Sequence, residues 1–228
     1  LIKEALRWIG VLGETKDLGN LMNLLINPKE DADRTDIESA VVYTFRRIED
    51  NKIKLDALKE ALKSSKPKAK TSVLSLLGKS PDSESLALIR STLKSENPVQ
   101  IAAINALAKW PNQEPALDLF EIASDKINPN KNSALDAYIS IASKAKNPTK
   151  AYQKAILLDE SKNNLKRILA GMGQFGSIDA IEIIEPYLKD ETARDEAALA
   201  LTNTVSYTHL RAHEPPEHRV CRRLLVKK

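Results

Sequence analysis

PVQIAAINALAKWPNQEPALDLFEIASDKIN, residues 98–128, holds the information that fixes the fold class. It opens on a proline, which suits a first helical turn because the missing N–H has no partner there in any case. Apolar and small residues then recur at helical spacing through Leu107. Trp110-Pro111 breaks the run, and a second amphipathic run carries Leu117, Phe120 and Ile122 at three- and two-residue steps. The stretch is one helix, a short turn and one more helix.

The same unit recurs on either side. Pro67, Pro98 and Pro129 are spaced by 31 residues twice over. A shift of 31 also carries Leu76 to Leu107, and Leu86 and Leu88 to Leu117 and Leu119. Blocks 67–97, 98–128, 129–160 and 161–190 each read as a helix pair, 191–204 opens another, and 17–26 with about 34–49 forms an earlier one. Residues 54–63 form a helix before Pro67. Leu1 to Leu12 reads as the second helix of a further pair, so the chain is expected to be a piece of a longer protein. The reading predicts about thirteen helices of roughly 10–16 residues. Asn97-Pro98 and Asn147-Pro148 are expected to be an N-cap and a first helical residue, with Ser177 capping another helix. Gly78, Gly173 and Gly176 are expected as left-handed helix stops.

Composition agrees. Seven glycines and 4% aromatics argue against a sandwich or barrel, and 42% apolar residues argue against disorder. No apolar run reaches the roughly 18 residues of a membrane span. A single helix hairpin cannot bury both its apolar faces, but stacked hairpins share a continuous core. Small residues such as Ala102, Ala103 and Ala106, or Ala197, Ala198 and Ala200, let helices approach. The expected fold is all-α, a right-handed α-solenoid of stacked antiparallel helix pairs over 1–204.

KDETARDEAALAL, residues 189–201, resembles the turn and second helix of a HEAT repeat of the short bacterial type, through Asp190, Arg194, Ala197, Ala198, Ala200 and Leu201. SENPVQIAAINAL, 95–107, is a second match, with Gln100 where Arg is usual and Asn97 where Asp would serve. The block at 67–78 has Ala69 at the Arg position. The resemblance implies an inter-repeat ladder of Asp190 and Arg194, incomplete in the other blocks. Trp110-Pro111 and EPYLKD, 185–190, are also similar to arrays in large multidomain proteins of environmental bacteria, beside sugar-active or c-type cytochrome domains. That implies a spacer or docking module of an exported chain.

The last 24 residues behave differently. The net charge of +4 is local: residues 205–228 hold six Lys/Arg and two acids, which leaves 29 of each in 1–204. The same segment holds His209, His213, His218 and Cys221, all the histidine and cysteine of the chain. VSYTHLRAHE, 205–214, resembles the translation of a transposase-type sequencing-library adapter, GTC TCT TAT ACA CAT CTC CGA GCC CAC GAG. VCRRLL, 220–225, resembles the downstream primer site, except that Arg223 stands where Leu is expected. The segment is expected to be non-native and disordered or poorly packed. The other reading is a basic arm that binds an anion or nucleic acid.

Residues 1–204 thus offer no thiol nucleophile, no imidazole base and no usual zinc ligand set. No catalytic residue, cofactor or metal is expected, and the protein is not expected to be an enzyme. Glu30/Asp31/Asp33, Asp82/Glu84, Asp159/Glu160 and Asp190/Glu191 lie at turns, where capping explains them. Arg46 and Arg47 end a helix, where they cap carbonyls or meet an anion. Gly171, Gly173 and Gly176 have dinucleotide-motif spacing, but a helix ends on them instead of opening on them.

Candidate interaction residues remain. Lys66, Lys68 and Lys70 follow Lys59 and Lys63 in the densest basic cluster of 1–204, a phosphate holder or a solvated edge. Among the scarce aromatics (Trp8, Trp110, Tyr138, Tyr152, Phe175, Tyr187), Trp110 is expected to pack over a turn, with binding as its other role. Tyr138 is the best candidate for an exposed groove aromatic, since second helices line the concave face in the resembled family. The expected function is a non-catalytic scaffold that binds a protein or spaces neighbouring domains. The alternatives are a nucleic-acid-binding HEAT-like module, against which the neutral body argues, and a HEAT-like lyase or repair enzyme. Nothing in the sequence fixes the compartment.

Overall fold

The computed structural model describes residues 2–28, 34–63, 66–160 and 162–213. The described residues form thirteen α-helices and two short 3-10 turns, and no strand occurs among them. The protein is all-α. None of these helices is long and apolar enough to cross a membrane. The chain divides into two compact units, Leu1–Ile141 and Ala142–Lys228.

In the N-terminal unit the helices are α1 (Ile2–Leu12), α2 (Leu18–Ile26), α3 (Arg34–Arg47), α4 (Asn51–Leu62), α5 (Pro67–Leu77), α6 (Ser83–Thr92), α7 (Val99–Ala108), α8 (Ala116–Ser124) and α9 (Lys131–Ala142), the last residue of α9 belonging to the other unit. Odd-numbered helices lie on one another: α1 on α3, α3 on α5, α5 on α7. The even ones fill in beside them, α2 against α3, α4 and α5, and α4 against α5 and α6. This arrangement makes α5 a central helix, with Val73, Leu74, Leu76 and Leu77 all buried. In the C-terminal unit, α10 (Pro148–Leu158), α11 (Leu165–Gly173), α12 (Ile178–Ile184), a 3-10 turn (Glu185–Lys189) and α13 (Arg194–His213) repeat the scheme. There α11 packs on α13, α10 on α11 and α12, and α12 on α13.

Close helix contact explains the glycines. A Cβ added at Gly10 of α1 would lie 3.3 Å from Ala40 Cα of α3; at Gly78 after α5, 3.1 Å from Ala106 Cα of α7; at Gly173 of α11, 2.8 Å from Ala200 Cα of α13. Three times, a glycine near one helix's end meets an alanine 27 to 30 residues on. The expected left-handed stops at Gly78 and Gly173 are therefore corrected: Gly78 is right-handed at φ −64, and Gly173 ends α11 within the helix. Only Gly176 among the three has a positive φ, 52°.

Local chemistry sets most helix starts. Asp50 accepts from Lys52 N at 2.8 Å, Asp82 from Ser85 N at 2.7 Å and Asn147 from Lys150 N at 3.0 Å, with Pro67 and Pro148 in first turns. Two expected caps differ. Ser177 holds the N-cap position of α12 without a side-chain hydrogen bond. Asn97 does not cap α7, whose N-cap is Pro98, because its Oδ1 is taken by Asn130. The 31-residue shift also slips once. The connection between α7 and α8 is longer than that between α5 and α6, so Ser83 corresponds to Ala116, 33 residues on. Leu86 then matches the buried Leu119, and Leu117 points to solvent. The helix α13 continues through His213, past the 204/205 boundary in the sequence; residues 214–228 lie outside the described ones.

Candidate interaction surface

The two aromatic candidates are both covered. Trp110 is 1% exposed, which agrees with packing over the turn and removes it as a surface anchor. Tyr138 is 5% exposed, with its ring 5.6 Å from that of Phe120 on α8. The expectation of an exposed groove aromatic there is corrected: Phe120 fills the space in front of it. Burial also pushes the Tyr138 phenol above its usual pKa. Exposed aromatics among the described residues are instead Trp8, 61% accessible on α1 beside Val11 and Leu12, and Tyr43 on α3, under the Arg46 guanidinium at 5.4 Å. Arg47 donates to Val11 O, so this arginine ties α3 to α1 and does not cap its own helix.

The lysine cluster is exposed at Lys66 and Lys68 and half-buried at Lys70. Lys66 Nζ donates to Asn27 Oδ1 of the α2 C-cap, and Lys63 pairs with Glu60 at 2.8 Å, so part of its charge serves the fold.

Polar contacts between successive helix pairs are more regular than the sequence suggested. Arg34, in the first turn of α3, donates to Leu25 O in the last turn of α2 at 3.0 Å and reaches forward to Lys68 O at 3.1 Å on α5. Gln100, in the first turn of α7, donates back to Leu93 O after α6 at 2.7 Å, and its Oε1 accepts from Asn130 Nδ2 at 2.6 Å. Asn130 Nδ2 also donates to Asn97 Oδ1 at 2.6 Å. Arg194, in the first turn of α13, donates back to Leu188 O at 3.2 Å. One side chain thus closes the carbonyl end of the preceding helix, which leaves four acceptors unpaired within the helix. In two of the three cases it also holds the next helix pair. Gln100 and Asn97, which depart from the pattern the sequence resembles, join Asn130 in a short amide relay. Arg34 was legible: Arg34, Ile37 and Val41 repeat the spacing of Arg194, Ala197 and Leu201.

Asp190 bonds differently from the expected ladder. Its carboxylate accepts from Lys162 Nζ at 2.9 Å, 28 residues earlier, from Thr192 N at 3.0 Å and from Thr192 Oγ1 at 2.7 Å. Lys162, and then the Thr192 donors, hold this carboxyl well below the ordinary aspartate range. In the N-terminal unit Arg90 and Asp118 form a second pair 28 residues apart, with Nη2 to Oδ2 at 2.8 Å. Of the turn carboxylates, Asp82 caps α6 by accepting from Ser85 N, and Asp159 closes the turn before α11 by accepting from Asn164 N at 2.7 Å. The Glu30/Asp31/Asp33 group lies outside the described residues. At the glycine triplet a Cβ on Gly171 would fall 2.5 Å from Tyr152 Cζ, so that glycine makes room for a tyrosine ring.

Compared with known proteins, the chain matches no family model and no curated sequence.

Proposed function

We propose that each unit is a stretch of right-handed α-solenoid built from HEAT-like helix pairs, and that the protein is a non-catalytic scaffold. It binds a protein partner or holds neighbouring domains of a longer chain apart. One observation carries this reading: the glycine-to-alanine approach recurs at 27 to 30 residues in both units, as expected where each helix pair leans on the next. The back-capping side chains Arg34, Gln100 and Arg194 support the same register. A preformed stack loses little entropy on binding, so modest contacts over several helices suffice.

The rival nucleic-acid reading predicts binding that falls steeply with salt, because lysines on phosphates release counterions. Fluorescence anisotropy with a labelled duplex and a labelled single strand, titrated across salt, separates the two. The scaffold reading expects weak binding of both. Submicromolar binding with a slope of several released ions would overturn it in favour of a nucleic-acid module.

A further inference from the structure

The C-terminal unit separates its charge along the chain. Residues 142–167 hold seven Lys or Arg against two acids, and residues 168–204 hold two against seven. This polarity reaches the surface on two neighbouring helices, α10 and α12, which pack on each other.

On α10, Thr149, Tyr152 and Ala155 face inward. Lys150, Gln153, Lys154 and Leu157 stand at i, i+3, i+4 and i+7 on the opposite face, all exposed, with Leu157 78% accessible. On α12, Ala180 and Ile184 face inward, and Ile178, Asp179 and Glu182 are exposed, followed by Glu185; Ile178 is 71% accessible. A lysine stripe with one aliphatic residue therefore lies beside an acidic stripe with one aliphatic residue. Lys150 sits in the first turn of α10, which holds no acid. A cation there opposes the helix dipole, and a carboxylate brought from outside relieves it. Lys154 also engages other groups of the protein, so the stripe offers summed charge and not vacant donors.

We propose that α10 and α12 together form a docking surface for a second copy of this chain. A two-fold axis that lays α10 of one copy on α12 of the other brings Lys150 and Lys154 to Asp179 and Glu182, and symmetry repeats the contact, which is the self-complementarity an isologous interface needs. Leu157 and Ile178 supply apolar area within it. The chemistry favours a polypeptide with carboxylates over a nucleic acid, since the lysine stripe carries neither arginine nor an exposed aromatic to stack on bases. The inference stands on the C-terminal unit alone and is independent of the scaffold reading.

The experiment is sedimentation of the full chain up to about 100 µM, in the range where weak dimers form. The expected result is a species near twice 25.3 kDa that recedes as salt rises from about 0.05 to 0.5 M. Lys150→Glu with Lys154→Glu gives a chain acidic on both stripes. Asp179→Lys with Glu182→Lys gives one basic on both. Each variant alone is expected to associate at least tenfold more weakly, and an equimolar mixture is expected to regain the dimer as a heterodimer. Circular dichroism checks that both variants remain helical; single substitutions, Lys154→Glu and Glu182→Lys, replace either pair if it unfolds. A chain that stays monomeric at low salt overturns the proposal, as does a dimer that both variants leave intact or a mixture that fails to pair. If Trp8→Glu alone abolishes the dimer, the contact lies on α1 and the proposal fails.

Discussion

Gly173 shows what one hydrogen atom decides. Its missing Cβ would lie 2.8 Å from a backbone atom of α13, which cannot swing aside. Gly173→Ala must push α11 and α13 apart, and overpacking of this kind costs about 1–3 kcal/mol. Thermal denaturation is expected to show a lower Tm for it, and an unchanged or slightly higher Tm for Gly19→Ala, a position inside α2 where an added Cβ meets nothing within 4 Å and alanine favours the helix. Asp190 and Tyr138 give the pH dependence its direction. The Asp190 pKa is lowered in the folded state, so its contribution is present above the unfolded aspartate value of about 3.9 and is lost as pH falls below it. The Tyr138 pKa is raised, so the folded state favours the neutral phenol and stability declines as pH climbs past about 10. Tm measured across pH is expected to drop at both ends. Asp190→Asn should make the acid limb shallower, and Tyr138→Phe the alkaline one, which the Tyr152 phenol, also raised by burial, shares; unchanged limbs would remove these groups as contributors.

At the scale of elements, the joint between α6, α7 and α9 rests on amides. Gln100 and Asn130 are buried, and among the described residues every buried side-chain nitrogen or oxygen has a partner. Asn130→Ala leaves the Gln100 carbonyl without a donor, at a cost of about 1–3 kcal/mol. Gln100→Ala removes that acceptor but exposes the Leu93 carbonyl. Chemical denaturation of both singles and the double variant is expected to give a double that loses less than the two singles summed. A strictly additive double would mean that the relay is two separate contacts. The same joint shows where sequence reasoning succeeds and stops. The helices and the caps at Asp82 and Asn147 were legible, because each follows from chemistry within a few residues. Asn97 was misread as a cap because a residue 33 positions away takes its oxygen. Tyr138 was misplaced for a related reason: its own helix cannot reveal that Phe120 covers the ring. Leu117 was shifted by a longer turn, a local feature that a fixed 31-residue ruler overlooks.

Over the whole molecule, these contacts are local to their neighbours, and the chain's compactness is divided at 141/142. The proposed solenoid predicts a stability close to a sum of unit terms and nearest-neighbour terms, with damage at one joint staying near it. Hydrogen exchange can read this directly, because amide protection reports local and sub-global opening. For Asn130→Ala, protection is expected to fall in α6, α7 and α9, which the relay ties together, and to hold at the wild-type level in α11 and α13, whose Gly173–Ala200 contact and Arg194 back-cap are untouched. For Gly173→Ala the pattern should reverse, with α11 and α13 losing protection and α3, α5 and α7 keeping it. A uniform loss across all helices in either variant would mean that the chain opens as one cooperative block. Nearest-neighbour stacking would then be the wrong description of what holds it together.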